Sequence, residues 1–125
     1  MNFVLAIAVG GGLGALGRHF LSTAVAGFIG GAFPWGILAV NVLGGLLIGL
    51  FVELDALHLS LTPELRTLLI TGFLGGFTTF SAFSLDAVLL IERGDWTGAA
   101  LYIGGSVILS IVALFIGLWL VRVFS

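Results

Sequence analysis

The chain has 125 residues, of which 60% are hydrophobic and a further 20 are glycine, while only 8% are charged. Soluble domains carry about 25% charged residues, so a water-facing surface cannot be built here, and a soluble enzyme with its own core is excluded. Four arginines without a lysine, a net charge of −2 and no cysteine also exclude a nucleic-acid binder built on clustered cations and a disulfide-stapled module.

Charge-free runs cover residues 2–17, 20–52, 67–85 and 96–121. At 1.5 Å per residue a helix needs about 20 residues to cross the hydrocarbon layer, so the chain reads as an all-α integral membrane protein, one transmembrane domain over residues 1–125. The first helix is expected over about 3–29. The run 20–52 is too long for one span, and Gly30-Gly31-Ala32-Phe33-Pro34 divides it, since glycine and proline end one helix and start another. A second helix then covers about 35–52. Thr62-Pro63-Glu64 supplies a cap, an N1 proline and a first-turn acid for a third helix over about 64–90, and Arg93-Gly94-Asp95 precedes a fourth over about 96–121. Trp35, Trp96 and Trp119 fall near helix ends, where the indole ring suits the headgroup layer.

Four spans put both termini on one side. That side holds Arg66 and Arg122, the other holds Arg93, and Arg18 lies within a span. Orientation follows such counts, so a bias of one arginine predicts insertion in both directions. A thin Gly- and Ala-rich bundle is also expected to oligomerise, and Gly10/Gly14, Gly27/Gly31, Gly45/Gly49 and Gly72/Gly76 are small pairs suited to close helix packing.

Polar groups inside the spans are costly unless paired or used. Arg18 in helix one either lines an anion-attracting vestibule, snorkels to an interface or pairs with Asp86; His19 beside it has no second ligand at metal-binding spacing. Asn41 in helix two is a cross-helix packing bond or a donor facing an ion. Tyr102, Ser106 and Ser110 recur every four residues, forming a hydroxyl stripe on helix four. Helix three carries Gly72-Phe73-Leu74-Gly75-Gly76-Phe77-Thr78-Thr79-Phe80-Ser81-Ala82-Phe83-Ser84. Three glycines and paired threonines predict a mid-membrane break near 75–79, tolerated only where the freed backbone groups are satisfied and common at ion sites. Carbonyls of Gly75 and Thr78 are then available to a small cation. Phe80 and Phe83 share one face beyond the break, and a phenyl ring has a positive edge suited to an anion. Together these residues describe anion passage, and no nucleophile, base and orienting group form a catalytic set.

The runs Gly11-Gly12-Leu13-Gly14-Ala15-Leu16-Gly17-Arg18, Gly36 to Gly44 and Gly72 to Phe83 closely resemble the CrcB/Fluc family of fluoride channels over nearly the whole chain, the third run being the most specific. The resemblance implies a dual-topology homodimer of antiparallel subunits in the bacterial inner membrane, with two pores that passively export cytoplasmic fluoride. It implies a structural sodium ion at the dimer interface on the Gly75 and Thr78 carbonyls of both subunits. It further implies fluoride contacts at Phe80, Phe83 and Asn41, a hydroxyl track of Ser81, Tyr102, Ser106 and Ser110, and Arg18 in the vestibule. Ile37 departs from the family's usual threonine, and Asp86 stands where the family often has an acid. A small multidrug exporter shares the size and weak charge bias but depends on an acid in helix one, and residues 2–17 contain none. A noncatalytic membrane assembly subunit, with stripe and break as packing devices, is the remaining reading.

Overall fold

The computed structural model describes residues 2–125. The Asn2 side chain accepts from the Leu5 amide at 2.7 Å and opens α1 (Phe3–Ile29). Gly30 and Gly31 at φ 73° and 82° then turn the chain through a region that side-chain-bearing residues avoid. Helix α2 (Trp35–Leu54) continues into a wide π-helical turn, Asp55–Leu59. The third span starts at the expected threonine cap, Thr62 Oγ1 accepting from Leu65 at 3.2 Å, and passes through α3 (Pro63–Arg66), a π-helical stretch Thr67–Leu74 and the short α4 (Gly75–Phe77). After an interruption it resumes as α5 (Ser81–Glu92). Asp95 caps α6 (Trp96–Val123) through the Gly98 amide at 2.9 Å.

Four segments are thus long and apolar enough to cross a membrane: Phe3–Ile29, Trp35–Leu59, Pro63–Glu92 and Trp96–Val123. The second and third are longer than expected, because the π-helical turn carries the second past Val52 and the third begins at Pro63. The break falls in the later part of the expected stretch: Gly75–Phe77 is still helical, and the chain leaves the helix at Thr78 (φ −78°, ψ 156°), two residues after Gly76. Hydropathy sees no difference between α and π turns, so the long π-helical run leading to the break had no sequence signal.

Glycines bring the helices into backbone contact in two seams. Along the first, α1 lies against the opening half of the third span: a Cβ on Gly14 would collide with the Phe73 carbonyl, and one on Gly76 would lie 2.5 Å from the Gly11 carbonyl oxygen. Along the second, α2 lies on α6, where a Cβ on Gly45 would sit 2.6 Å from the Ser110 carbonyl oxygen and one on Gly117 2.5 Å from that of Leu46. Gly27 has nothing within 4 Å and Gly31 lies outside the helix, so this pair is not a packing seam within the subunit. Phe83, Ala87, Leu90, Ala99 and Tyr102 form a core cluster between α5 and α6, while most other large apolar side chains face outward, as lipid permits.

Polar contacts tie each end. On the side of the termini, Arg66 Nε donates to Asp55 Oδ2 at 2.6 Å, the Leu61 amide donates to Asp55 Oδ1 at 2.7 Å, and Arg122 pairs with Glu53 at 3.0 Å. At the other end Arg93 donates to the Ala32 carbonyl at 3.1 Å, joining the two loops there.

Because a Cβ on Gly14 would meet the backbone of Phe73 and Phe77, which cannot swing aside as a side chain can, Gly14→Val is expected to cost about 1–3 kcal/mol by overpacking. Gly12→Ala, whose Cβ meets nothing within 4 Å, should leave stability within about 0.5 kcal/mol of the parent. Reversible unfolding of the two variants in mixed micelles measures the difference.

Candidate functional site

Where the third span breaks, two of the amides that would have continued the ladder are turned to side-chain acceptors. The Thr79 amide, due to donate to Gly75, donates instead to Asn41 Oδ1 at 2.8 Å, and Asn41 Nδ2 donates back to the Thr79 carbonyl at 3.0 Å. The Ala82 amide, due to donate to Thr78, goes to Thr79 Oγ1 at 3.1 Å and so caps α5. Gly76 has lost the Phe80 amide, and its carbonyl accepts from Arg18 at 3.1 Å. Among the described residues, no amide outside the helical ladders donates to the Gly75 or Thr78 carbonyl.

Asn41 therefore makes a cross-helix bond that pins the break, and it also lines a cavity of about 360 Å³. That cavity is formed by α2, the break, α5 and α6. It gathers Asn41, Thr78, Phe80, Phe83, Ser106 and Ser110, with Gly45, Ile48, Val107, Ile111 and Leu114 completing an apolar wall. Five residues expected in the pathway thus meet at one place, together with one of the two carbonyl residues.

The hydroxyls divide into two groups. Thr78, Ser84 and Ser125 donate to the carbonyl four residues back, the usual way a membrane hydroxyl is satisfied. Ser106 and Ser110 do not: both Oγ atoms are buried without a hydrogen-bond partner in the protein, on residues that line the cavity. An unpaired buried hydroxyl costs about 1–3 kcal/mol, and such atoms in a native protein call for an explanation.

Aromatic rings form the cavity's end. Phe80 and Phe83 stand 5.6 Å apart between ring centroids, tilted by 44°. Phe83 is buried, whereas Phe80 is 78% exposed at the flank of the subunit. Behind Phe83 lies Tyr102, fully buried, its ring centroid 5.1 Å away, and its hydroxyl donates to Asp86 Oδ2 at 3.2 Å. Asp86 in turn lines a second groove of about 600 Å³ with Ser22, Thr23, Gly36 and Ile37. Tyr102 thus stands between two cavities rather than within the first.

Other expected site residues lie apart from the cavity. Ser81 is exposed, its Oγ 3.4 Å from Thr79 Oγ1. Arg18 does not pair with Asp86; it reaches the break from α1 and lines neither cavity. Thr79 was not singled out from the sequence, although Thr79-Phe80-Ser81-Ala82 is readable as a cap with its recipient amide three residues on.

The CrcB-like protein family, also described as camphor resistance (CrcB), matches residues 5–118. The chain is 53% identical to the fluoride-specific ion channel FluC of Rhizobium etli over 118 residues, 94% of either chain. It is 52% identical to that of a Chelativorans species over 98% of either chain, and 49% identical to that of Nitrobacter winogradskyi over 98% of this chain and 97% of the relative. With the four-span fold and the broken third helix already in place, matches of this extent make the chain a member of the CrcB/FluC fluoride-channel family.

Proposed function

We propose that this protein is a fluoride-selective channel of the bacterial inner membrane, multi-pass and not an enzyme, and that it passively exports fluoride. The observation that carries the reading is the pair of partnerless hydroxyls on Ser106 and Ser110, in a cavity also lined by Phe80 and Phe83. Fluoride is small and strongly hydrated, so a dry passage must replace its water with hydrogen-bond donors and positive ring edges. Ser106, Ser110 and the remaining amide hydrogen of Asn41 supply donors. Phe80 and Phe83 supply the edges, and Tyr102 and Asp86 lead from the cavity toward the second groove. Ser81 extends the hydroxyl track beyond the break.

The working unit in this reading is an antiparallel homodimer with two pores. The nearly balanced arginine count allows both insertions, and Phe80, Ser81 and Gly75 all lie exposed on one subunit, where a second copy would cover them. A sodium ion at the interface fits the chemistry of the break, because the Gly75 and Thr78 carbonyls from both subunits are neutral oxygen ligands released from the ladder, the donor type that carbonyl-lined ion sites use. Bound there, sodium would supply positive charge at the membrane centre. The protein's part is to present those oxygens and to hold the break open through Asn41.

Purified protein in vesicles should release fluoride and retain chloride. Ser110→Ala removes one donor to a desolvated anion, an interaction worth about 1.5–3 kcal/mol, and should slow fluoride efflux about tenfold or more. Phe80→Ile, which removes a ring edge, should reduce it comparably, with the dimer preserved on size exclusion. Undiminished efflux from both variants would remove the pathway assignment, and transport of a cationic drug without fluoride flux would favour an exporter.

Asn41→Asp replaces the donor to the Thr79 carbonyl with a second acceptor. Its fluoride efflux should fall at least as far as that of Ser110→Ala, and its unfolding free energy should fall by about 1–3 kcal/mol. Equilibrium unfolding measured beside the efflux assay tests both effects.

A further inference from the structure

Arg18 stands two residues past the centre of the 27-residue helix α1. A charge at that depth is costly and is normally paired or placed in a hydrated space. Among the described residues the ion pairs are Arg66 with Asp55 and Arg122 with Glu53. Asp86, the acid of the third span that lies away from the helix ends, accepts from Tyr102 instead. The guanidinium spends its hydrogen bond on a main-chain oxygen instead, the carbonyl of Gly76, at 3.1 Å and part-buried.

That oxygen is one of those the break leaves without an amide, since Phe80 precedes the start of α5. The seam below makes the reach possible. Gly11, Gly14 and Gly17 let α1 run against the backbone of Phe73 and Gly76 and the rings of Phe73 and Phe77, with the Phe77 ring 3.5 Å from a Cβ on Gly17. Arg18 is thereby carried to the break on a helix that cannot slide. Asn41 grips the Thr79 backbone from α2 on the other side, so the freed carbonyl of Thr78 belongs to a peptide whose N–H is already held, and that plane fixes its direction.

We propose that Arg18 is a positioning residue of the break: by donating to the Gly76 carbonyl it withdraws that oxygen from the cation-binding set and fixes the directions of the Gly75 and Thr78 carbonyls. The inference rests on the sodium reading above. It differs from a vestibule role in mechanism, because an anion-attracting charge acts through its field, whereas a positioning residue acts through a directed donor. The two roles shift cation affinity in opposite directions. A fixed positive charge near a cation site repels the cation, so removing it would tighten sodium binding; removing a donor that shapes the site would weaken it.

The experiment uses the full-length dimer, purified in sodium-free buffer, reconstituted into vesicles and titrated with sodium while fluoride efflux is recorded. Arg18→Met keeps the stem and loses the donor, and it should raise the half-activating sodium concentration about tenfold, the scale of one charge-assisted hydrogen bond. Arg18→Lys keeps the charge and one compact donor on a shorter stem, and it should raise that concentration by a smaller factor. An unchanged or lowered value in Arg18→Met overturns the proposal. Should Arg18→Met fail to assemble, Arg18→Lys decides alone, since its charge is unaltered and only a positioning role predicts a shift.

If efflux by the parent protein is indifferent to sodium, the sodium reading fails by itself. Amide hydrogen exchange at Thr79 and Phe80, measured without sodium, then tests Arg18 directly: faster exchange in both variants supports a clamp on the break, and unchanged exchange overturns it.

Discussion

Inside a bilayer a backbone amide or carbonyl without a partner costs several kcal/mol, because no water is available to satisfy it. The interruption at residues 78–80 is therefore the feature to which the rest of the subunit responds. Asn41 takes the amide and the carbonyl of Thr79, the Thr79 hydroxyl takes the Ala82 amide, and Arg18 takes the Gly76 carbonyl. Each of these partners is a side chain from the break or from a different helix. The interruption is thus held by the tertiary structure, and a third span cut from its neighbours would have no reason to keep it.

Close helix packing is the second requirement, since side chains of ordinary length cannot deliver a short polar group to a helix axis across a layer of leucine. The glycine seams between α1 and the third span, and between α2 and α6, remove that layer. They place Arg18 at the Gly76 backbone and leave the Ser106–Ser110 face of α6 on the cavity shared with Asn41. Gly27 and Gly31, by contrast, contribute no contact within the subunit.

Much of this was readable from the chain alone because the underlying signals are local. Charge-free runs of span length locate four helices, the Thr62-Pro63-Glu64 cap starts the third, and GGFTTF marks a segment unsuited to a straight helix. What was less readable depends on hydrogen-bond register. The interruption begins just past the glycines because Gly76, packed on Gly11, and the exposed Gly75 remain helical, and the threonines that follow perform the exit and the cap. The Arg18 contact was hidden for another reason. Asp86 offered an opposite charge, but Tyr102 claims it, and only the three-dimensional seam reveals that a carbonyl 58 positions away is within reach.

The two unpaired serines bear on selectivity more than their number suggests. A hydroxyl can donate or accept, so Ser106 and Ser110 alone would serve a cation as readily as an anion. The sign is set by what stands beside them. The Asn41 oxygen is consumed by the Thr79 amide while a hydrogen of its nitrogen remains, which biases that side chain toward donation. The rings of Phe80 and Phe83 present a positive rim when viewed along the plane and offer no lone pair at all. Beside the rings, the Asn41 amide is a donor held in place before any ion arrives, and in the proposed pathway the two serine hydroxyls would turn their hydrogens toward the same anion. Preorganised donors need no reorganisation when the ion comes, and in the proposed pathway the stability forgone in leaving two hydroxyls without a protein partner would be returned only to an ion that can accept from both.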